Sequence, residues 1–307
     1  MEAGARAHSG LEQDLTSPKQ ASELLQAYRL QPQKRLGQNF LCDRNTRDRI
    51  IRAANLTHED PVLEIGGGLG TLTGALAALA AQVTTVEIDR HLEPVLRTTT
   101  ARLPNVTLVF ADFLRLDLPA LLDTAFGDRP GVVVASIPYY ITTPIVERLL
   151  QQKARLRQIV LLVQKEFAQR AVASAGSEAR GALSLFVQYH THAEIAGFVP
   201  RTVFLPAPEV DSAILVLTPV VPGTVPVRNE ERLFHVIRAA FGQRRKTLLN
   251  ALIRAPASFG LGIGMEDRAR ALRILAHARI DGNRRGETLS LEEFARLADA
   301  FEEVAGE

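Results

Sequence analysis

The stretch Pro61-Val62-Leu63-Glu64-Ile65-Gly66-Gly67-Gly68-Leu69-Gly70-Thr71-Leu72-Thr73 organises the chain. Residues 61–65 are short, apolar and β-branched, with turn signals on both sides, the pattern of a buried strand. Gly66, Gly67, Gly68 and Gly70 follow directly, and an Ala/Leu-rich helix is expected over 71–81. Strand, glycine turn and helix open a nucleotide-binding α/β unit, where glycine permits positive φ and close approach of the backbone to a ligand. A plain structural turn is the competing account, and the density of glycine weighs against it.

Outward from this unit, strands are expected at 82–88, 106–110, 131–137 and 158–164, and helices at 91–100, 144–152 and 166–173. The alternation predicts a mostly parallel, doubly wound sheet. A helix at 182–190 precedes two strand-like runs, 193–199 and 213–217, which predict an antiparallel edge. Residues 218–228 hold three prolines and a glycine, a linker signature. Helices are then expected at 230–241, 245–254, 266–276 and 291–304. Upstream, residues 1–20 read as disordered, with helices at 22–30 and 43–54, the second capped by Asp43. The resulting plan is an N-terminal extension over 1–30, partly disordered, an α/β domain over 31–217, a linker over 218–229 and a small all-α domain over 230–307.

Polar features fall at the ends of four successive expected strands, where open α/β sheets collect ligands. The glycine turn ends the first. Glu87 ends the second, where a carboxylate accepts ribose hydroxyls in hydride-transfer and methyl-transfer sites alike. Asp112 ends the third and suits an adenine amine, a contact that an S-adenosylmethionine site needs and a dehydrogenase rarely does. Ser136-Ile137-Pro138-Tyr139 ends the fourth. Each has a bland alternative: a solvated acid for Glu87, a strand cap for Asp112, core packing for Tyr139. Their occurrence in order is what points to one nucleoside site.

Hydrophobic residues make up 46% of the 307-residue chain and charged residues 23%, the balance of a globular protein with a sizeable core. The net charge of +2 says nothing about nucleic acid, although 31 of the basic residues are Arg and only five Lys. The one cysteine, Cys42, rules out a disulfide framework and fits a cytoplasmic location. No apolar run is long enough to span a membrane, and residues 1–30 lack the apolar core of a signal peptide. His91, His190, His192, His235 and His277 show no metal-ligand spacing, and no metal is expected. Lys34 and Arg35 sit in an irregular stretch as candidate phosphate contacts, with a solvated loop as the alternative. Arg244, Arg245 and Lys246 fall at an expected helix start, where they oppose the macrodipole, so phosphate contact is expected of them, with a solvated surface as the alternative.

The tetrapeptide Ser136–Tyr139 resembles the Asn-Leu-Pro-Tyr motif of the ribosomal RNA adenine N6-dimethyltransferases. The stretches 34–41, 164–166, 204–212 and 241–247 are similar to that family too, in order and from about Gln33 to the C-terminus. The resemblance implies a Rossmann-like class I methyltransferase sheet with a small all-α C-terminal domain. It implies an S-adenosylmethionine-dependent enzyme that dimethylates two adjacent adenines near the 3′ end of small-subunit rRNA, acting as a monomer on the immature subunit. By the same resemblance Asn39, Leu41 and Gly66 touch the methionine end of the cofactor, Glu64 helps hold its amino group, and Glu87 takes the ribose. Ile88 lies against the adenine and Asp112 takes its amine, while Gly68, Phe113 and Ser136 complete the cofactor set. Ser136, Ile137, Pro138, Tyr139 and Phe204 hold the target adenine; Lys34, Arg35, Arg244, Arg245 and Lys246 meet RNA. The chain departs from the family at Ser136, where relatives carry Asn, and at Gly67, where many carry Pro and where glycine is expected to loosen the turn. Ser136 raises a second possibility, an RNA-binding assembly factor that methylates poorly. A third, an NAD-dependent oxidoreductase, leaves Asp112 and the tetrapeptide without a role.

Overall fold

The structure, a computed structural model, describes residues 15–264 and 267–305. They form helices α1 (Pro18–Ala27), α2 (Arg44–Ala54), α3 (Thr71–Ala77), α4 (Glu93–Thr100), α5 (Leu118–Phe126), α6 (Thr142–Leu150), α7 (Lys165–Ala171), α8 (Ala182–His190), α9 (Glu230–Gly242), α10 (Leu248–Ile253), α11 (Arg268–His277) and α12 (Leu291–Ala305). The strands are β1 (Phe40–Leu41), β2 (Pro61–Ile65), β3 (Gln82–Glu87), β4 (Val106–Phe110), β5 (Gly131–Ser136), β6 (Leu156–Gln164), β7 (Thr191–Val199), β8 (Phe204–Leu205) and β9 (Ser212–Pro219).

The seven-stranded sheet runs β4-β3-β2-β5-β6-β9-β7, and β1 pairs antiparallel with β8 in a separate ribbon. From β4 to β6 every pairing is parallel. The strand β2 is buried along its whole length between β3 and β5, which explains its unbroken apolar run. The chain builds outward from β2 to β4, then returns to place β5 on the other side of β2. That reversal is the switch point at which doubly wound sheets bind ligands, beyond the strands' carboxyl ends.

The chain packs as two compact units, one reaching through Gln164 and including Gly197–Ile214, the other made of Lys165–Ala196 and the chain from Leu215. The composition of 218–228 predicts the division there, but α7 and α8 already belong to the helical unit. Leu185 and Tyr189 are in one core with Leu233, Ile237, Leu252 and Phe294. The stretch 220–229 is irregular yet fastened: Val220 and Thr224 donate to the carbonyls of His190 and Tyr189, and Val225 is buried.

Local signals account for several differences from expectation. Of the residues expected to be disordered, 1–14 lie outside the described residues. Pro18 starts α1 four residues earlier than expected. Ala21, Leu24 and Leu25 bury against Phe40, Leu69 and Leu92, so part of the N-terminal extension is core. The helix α5 falls where no element is expected; Asp117 caps it by accepting from Ala120 N at 3.1 Å, with Pro119 in its first turn. The helix α10 begins at Leu248, with Thr247 as its cap, so Arg244, Arg245 and Lys246 lie in the preceding turn and do not oppose a helix dipole.

Gly67 has a different role from the one its sequence predicts. A Cβ there would meet the Thr85 methyl at 2.5 Å and Leu96 at 3.0 Å. Both neighbours are fully buried. The missing side chain is space already used, not slack in the turn. Gly67→Ala is expected to destabilise the ligand-free chain by about 1–3 kcal/mol through overpacking, read as a lower melting temperature. Adding Thr85→Ser, which removes the obstructing methyl, should recover most of the loss; a Gly67→Ala chain as stable as wild type contradicts the account.

Candidate functional site

An open cleft of about 1170 Å³, counting the solvent at its mouth, lies in the α/β unit. It collects the loop 36–41, the glycine turn and the ends of β3, β4 and β5, together with Phe204 and Ser212. Parallel βα units put all the strand ends on one side, so Glu64 and Ser136, 72 positions apart in sequence, share one space.

Glu64 is fully buried on the central strand. Its Oε2 accepts from the Thr73 hydroxyl at 2.6 Å and the Thr85 hydroxyl at 2.7 Å. Thr85 reaches it because β2 and β3 align Glu64 with Thr85 as register partners. Oε1 is buried and has no protein partner. Burial pushes the carboxyl up to about 7; the two hydroxyls oppose this and the nearby Glu87 adds to it. A carboxylate held by one oxygen and unpaired at the other, lining a cleft, is an acceptor lacking its donor, and an ammonium group fits it.

Gly66, at φ +87°, turns the chain away from β2. A Cβ there would come within 2.6 Å of the Ser136 carbonyl oxygen, so only glycine lets this turn lie against the tetrapeptide. Gly68 donates its N–H to Glu87 Oε2 at 2.9 Å, and Asp89 N–H donates to Glu87 Oε1 at 2.8 Å. Burial raises the Glu87 carboxyl above the usual range, and those two N–H groups hold it back. Each oxygen retains capacity for a hydroxyl donor. Ile88, next along, is nearly half exposed in the cleft, an apolar face open to a ring. Asp112 accepts from Leu114 N at 2.9 Å through Oδ1, and its Oδ2 lies 3.5 Å from Arg115. Phe113 beside it is buried and lines the cleft.

Ser136, Ile137, Pro138 and Tyr139 line the cleft from the end of β5. No protein partner is seen for the Ser136 hydroxyl among the described residues. Tyr139 is half-buried, its hydroxyl 2.7 Å from Ser212 Oγ, and burial raises its phenol above the ordinary value. Phe204 reaches the cleft because β8 pairs Phe204 with Leu41, which carries Asn39 and Leu41 to the same wall. All the residues expected to hold cofactor or target base therefore line one cleft.

The expected RNA contacts do not. Lys34 and Arg35 are exposed on a single turn before the cleft wall. Arg245 and Lys246 are exposed in the helical unit, where Arg244 is engaged, donating to the Glu178 carbonyl at 2.6 Å.

Sequence reasoning missed Thr73, Thr85, Ser212 and the network around Asp89. Asp89 Oδ2 accepts from Gln38 at 2.7 Å and Gln33 at 3.0 Å, tying the loop 33–38 to the end of β3. Burial alone would raise the Asp89 carboxyl, but hydrogen bonds from Gln38 and His91 outweigh it and hold it low. Its place two residues after Glu87 was the available signal. No group of three or more His, Cys, Asp or Glu side chains among the described residues is placed to hold a metal ion.

Comparison with known proteins bears on the site. A sequence model of the family described as "Ribosomal RNA adenine dimethylase" matches residues 29–297. A Bacillus pumilus protein named "Ribosomal RNA small subunit methyltransferase A" is 44% identical over 96% of this chain and 99% of its own length. One of the same name from Pelotomaculum thermopropionicum is 46% identical over 95% and 99%. Among solved structures, a dimethyladenosine transferase from Plasmodium falciparum superposes with a TM-score of 0.73 at 26% identity, covering 86% of this chain and 98% of that one. The 23S rRNA methyltransferase ErmE gives 0.65 at 30% identity, covering 86% and 100%.

Proposed function

The chain belongs to the ribosomal RNA adenine dimethylase family, and from that premise we propose that it transfers methyl groups from S-adenosylmethionine to N6 of two adjacent adenines near the 3′ end of small-subunit rRNA. It does so as a monomer, on the immature subunit, in the cytoplasm. The observation that carries the chemistry is the set of acceptors, Glu64, Glu87, Asp112 and Ser136, at four successive strand ends in one cleft. The choice of small-subunit RNA over 23S rRNA rests on the 44–46% identity to relatives named for the small subunit.

The residues present fit the cofactor, and the roles that follow are the ones they would take in holding it. Glu64 Oε1 takes the ammonium, with Asn39, Leu41 and Gly66 around the methionine end. Glu87 accepts the ribose hydroxyls past Gly68. Asp112 takes the adenine amine, with Ile88 and Phe113 against the ring. When bound, S-adenosylmethionine supplies a sulfonium methyl, an electrophile open to in-line displacement.

The target amine is a weak nucleophile because its lone pair is delocalised into the adenine ring. The Ser136 hydroxyl and a tetrapeptide carbonyl accept its two N–H bonds and draw the nitrogen towards tetrahedral geometry, which frees the lone pair. Tyr139 and Phe204 stack the extruded base and exclude water, with Ile137 and Pro138 shaping that wall. No strong base is needed, since the N6 proton becomes acidic once nitrogen is alkylated and is released to bulk solvent as the methylated base leaves the cleft. Positioning and water exclusion supply most of the rate. The helical domain docks on folded RNA through shape and backbone, with Arg245 and Lys246 on phosphate.

The decisive experiment is transfer of labelled methyl from S-adenosylmethionine to unmethylated small and large subunits. Incorporation into small subunits only is expected. Label in the large subunit would redirect the substrate to 23S rRNA, and none in either, with S-adenosylhomocysteine bound, would sink the enzyme. Ser136→Asn is expected to transfer at an equal or higher rate, because a carboxamide oxygen reaches further than a hydroxyl. A large loss of rate would refute the role given to that position.

A further inference from the structure

Two adjacent tyrosines follow Pro138 on one turn, and the function above uses only the first. Tyr139 points its hydroxyl at Ser212 and is half-buried. Tyr140 is 65% exposed, the most open of the large apolar and aromatic side chains described, and it also lines the cleft. Its hydroxyl donates to the Arg35 carbonyl at 3.4 Å, a long contact, and a Cβ on Gly37 would lie 3.5 Å from its ring. The ring is thus propped at its tip and edge while most of its surface stays free. Lys34 and Arg35, both exposed, sit on the turn that props it.

We propose that Tyr140 is a stacking platform for the nucleobase next to the one being methylated, so that the cleft takes two consecutive bases of single-stranded RNA. This rests on RNA adenine being the methyl acceptor. Lone exposed aromatics are common and need no explanation. Here, however, the ring lines a cleft that also holds Tyr139 and Phe204, and it leans on a turn that carries two cations, Lys34 and Arg35, the second donating to Gln33 Oε1 at 2.9 Å. Aromatic faces alternating with Lys and Arg are the chemistry of single-stranded nucleic-acid recognition: the faces take bases and the cations take the connecting phosphates. A protein partner would use the ring equally well but gives no reason for the adjoining base site. A pre-positioned ring also loses little conformational freedom on stacking. The consequence is a register: with one base on Tyr140, its neighbour is presented to Ser136 and Tyr139.

The chain has no tryptophan, so Tyr140→Trp introduces a single indole as a reporter. It is titrated with an RNA hairpin bearing two adjacent loop adenines, and with the same hairpin carrying an abasic sugar in place of the neighbouring adenine. Wild type and Tyr140→Ala are titrated with both, binding being followed by a label on the RNA. Saturable quenching is expected with the first hairpin and little with the second. Wild type should prefer the first about 10-fold, in line with one stacked base, and Tyr140→Ala should bind both within about 2-fold. Affinity for S-adenosylhomocysteine should be the same in wild type and Tyr140→Ala. Equal quenching by both bound hairpins, or a preference that survives in Tyr140→Ala, overturns the subsite. Failure of wild type to bind either hairpin overturns the subsite; failure to label unmethylated small subunits as well counts against the RNA substrate itself.

Discussion

Tyr139→Ala is expected to lower kcat/KM for methyl transfer to small subunits by about 10²-fold, with S-adenosylhomocysteine affinity almost unchanged. The ring is proposed to stack the extruded adenine, a contact of about 1–3 kcal/mol, and each 1.36 kcal/mol is worth about tenfold in rate. Tyr139→Phe separates stacking from anchoring. It keeps the face and loses only the hydrogen bond to Ser212, worth about 0.5–1.5 kcal/mol, so a loss within about tenfold is expected. Rates with labelled cofactor and binding by calorimetry read both. If Tyr139→Phe is as damaged as Tyr139→Ala, the hydroxyl does the work, and stacking is not its role.

Glu64→Gln is expected to move binding and stability in opposite directions. The Glu64 carboxyl titrates near 7 in the folded chain against an ordinary 4.5, chiefly because it is buried. Its folded pKa is raised, so its contribution to stability is fully present below about pH 4.5 and is lost as pH rises through 7. The size is on the order of 3 kcal/mol. Ligand-free wild type should therefore lose stability between about pH 5 and 8, and Glu64→Gln, which cannot ionise, should lack that part of the slope and melt no lower than wild type at pH 8. Thr73 and Thr85 still find an acceptor in the amide oxygen. The ammonium loses its charged partner, so cofactor affinity should fall about 10- to 100-fold, the worth of one charge-assisted hydrogen bond. Wild-type affinity should strengthen from pH 6 to 8 as Glu64 loses its proton, with Glu87 the nearest like charge opposing that loss. Melting curves and calorimetry across this range check each sign; cofactor affinity unchanged in Glu64→Gln would remove Glu64 from the site.

The balance between sequence and tertiary structure is visible at single residues. The order of the strand ends was legible because βα alternation fixes which end of each strand points the same way, and every parallel strand delivers its last residue to that side. Glu87, Asp112 and Ser136 were therefore placed by local pattern alone. The fold class followed from the same periodicity, and the bulk of the helical unit from its apolar spacing.

What the pattern did not contain was lateral. Glu64 meets Thr85 because two strands align at one register, and a one-residue slip would turn Thr85 to the other face. Ser212 reaches Tyr139 across 73 positions, and Asp89 gathers Gln33 and Gln38 from a loop with no period at all. Gly67 reads as slack in the sequence, yet the Thr85 methyl fills the space a side chain there would need. Sequence determined which groups stand at the mouth of the sheet, because backbone direction is a local property. Tertiary structure decided which oxygen is left unpaired, which ring is buried and which stays open, because partners and burial are set by packing between segments that sequence leaves far apart.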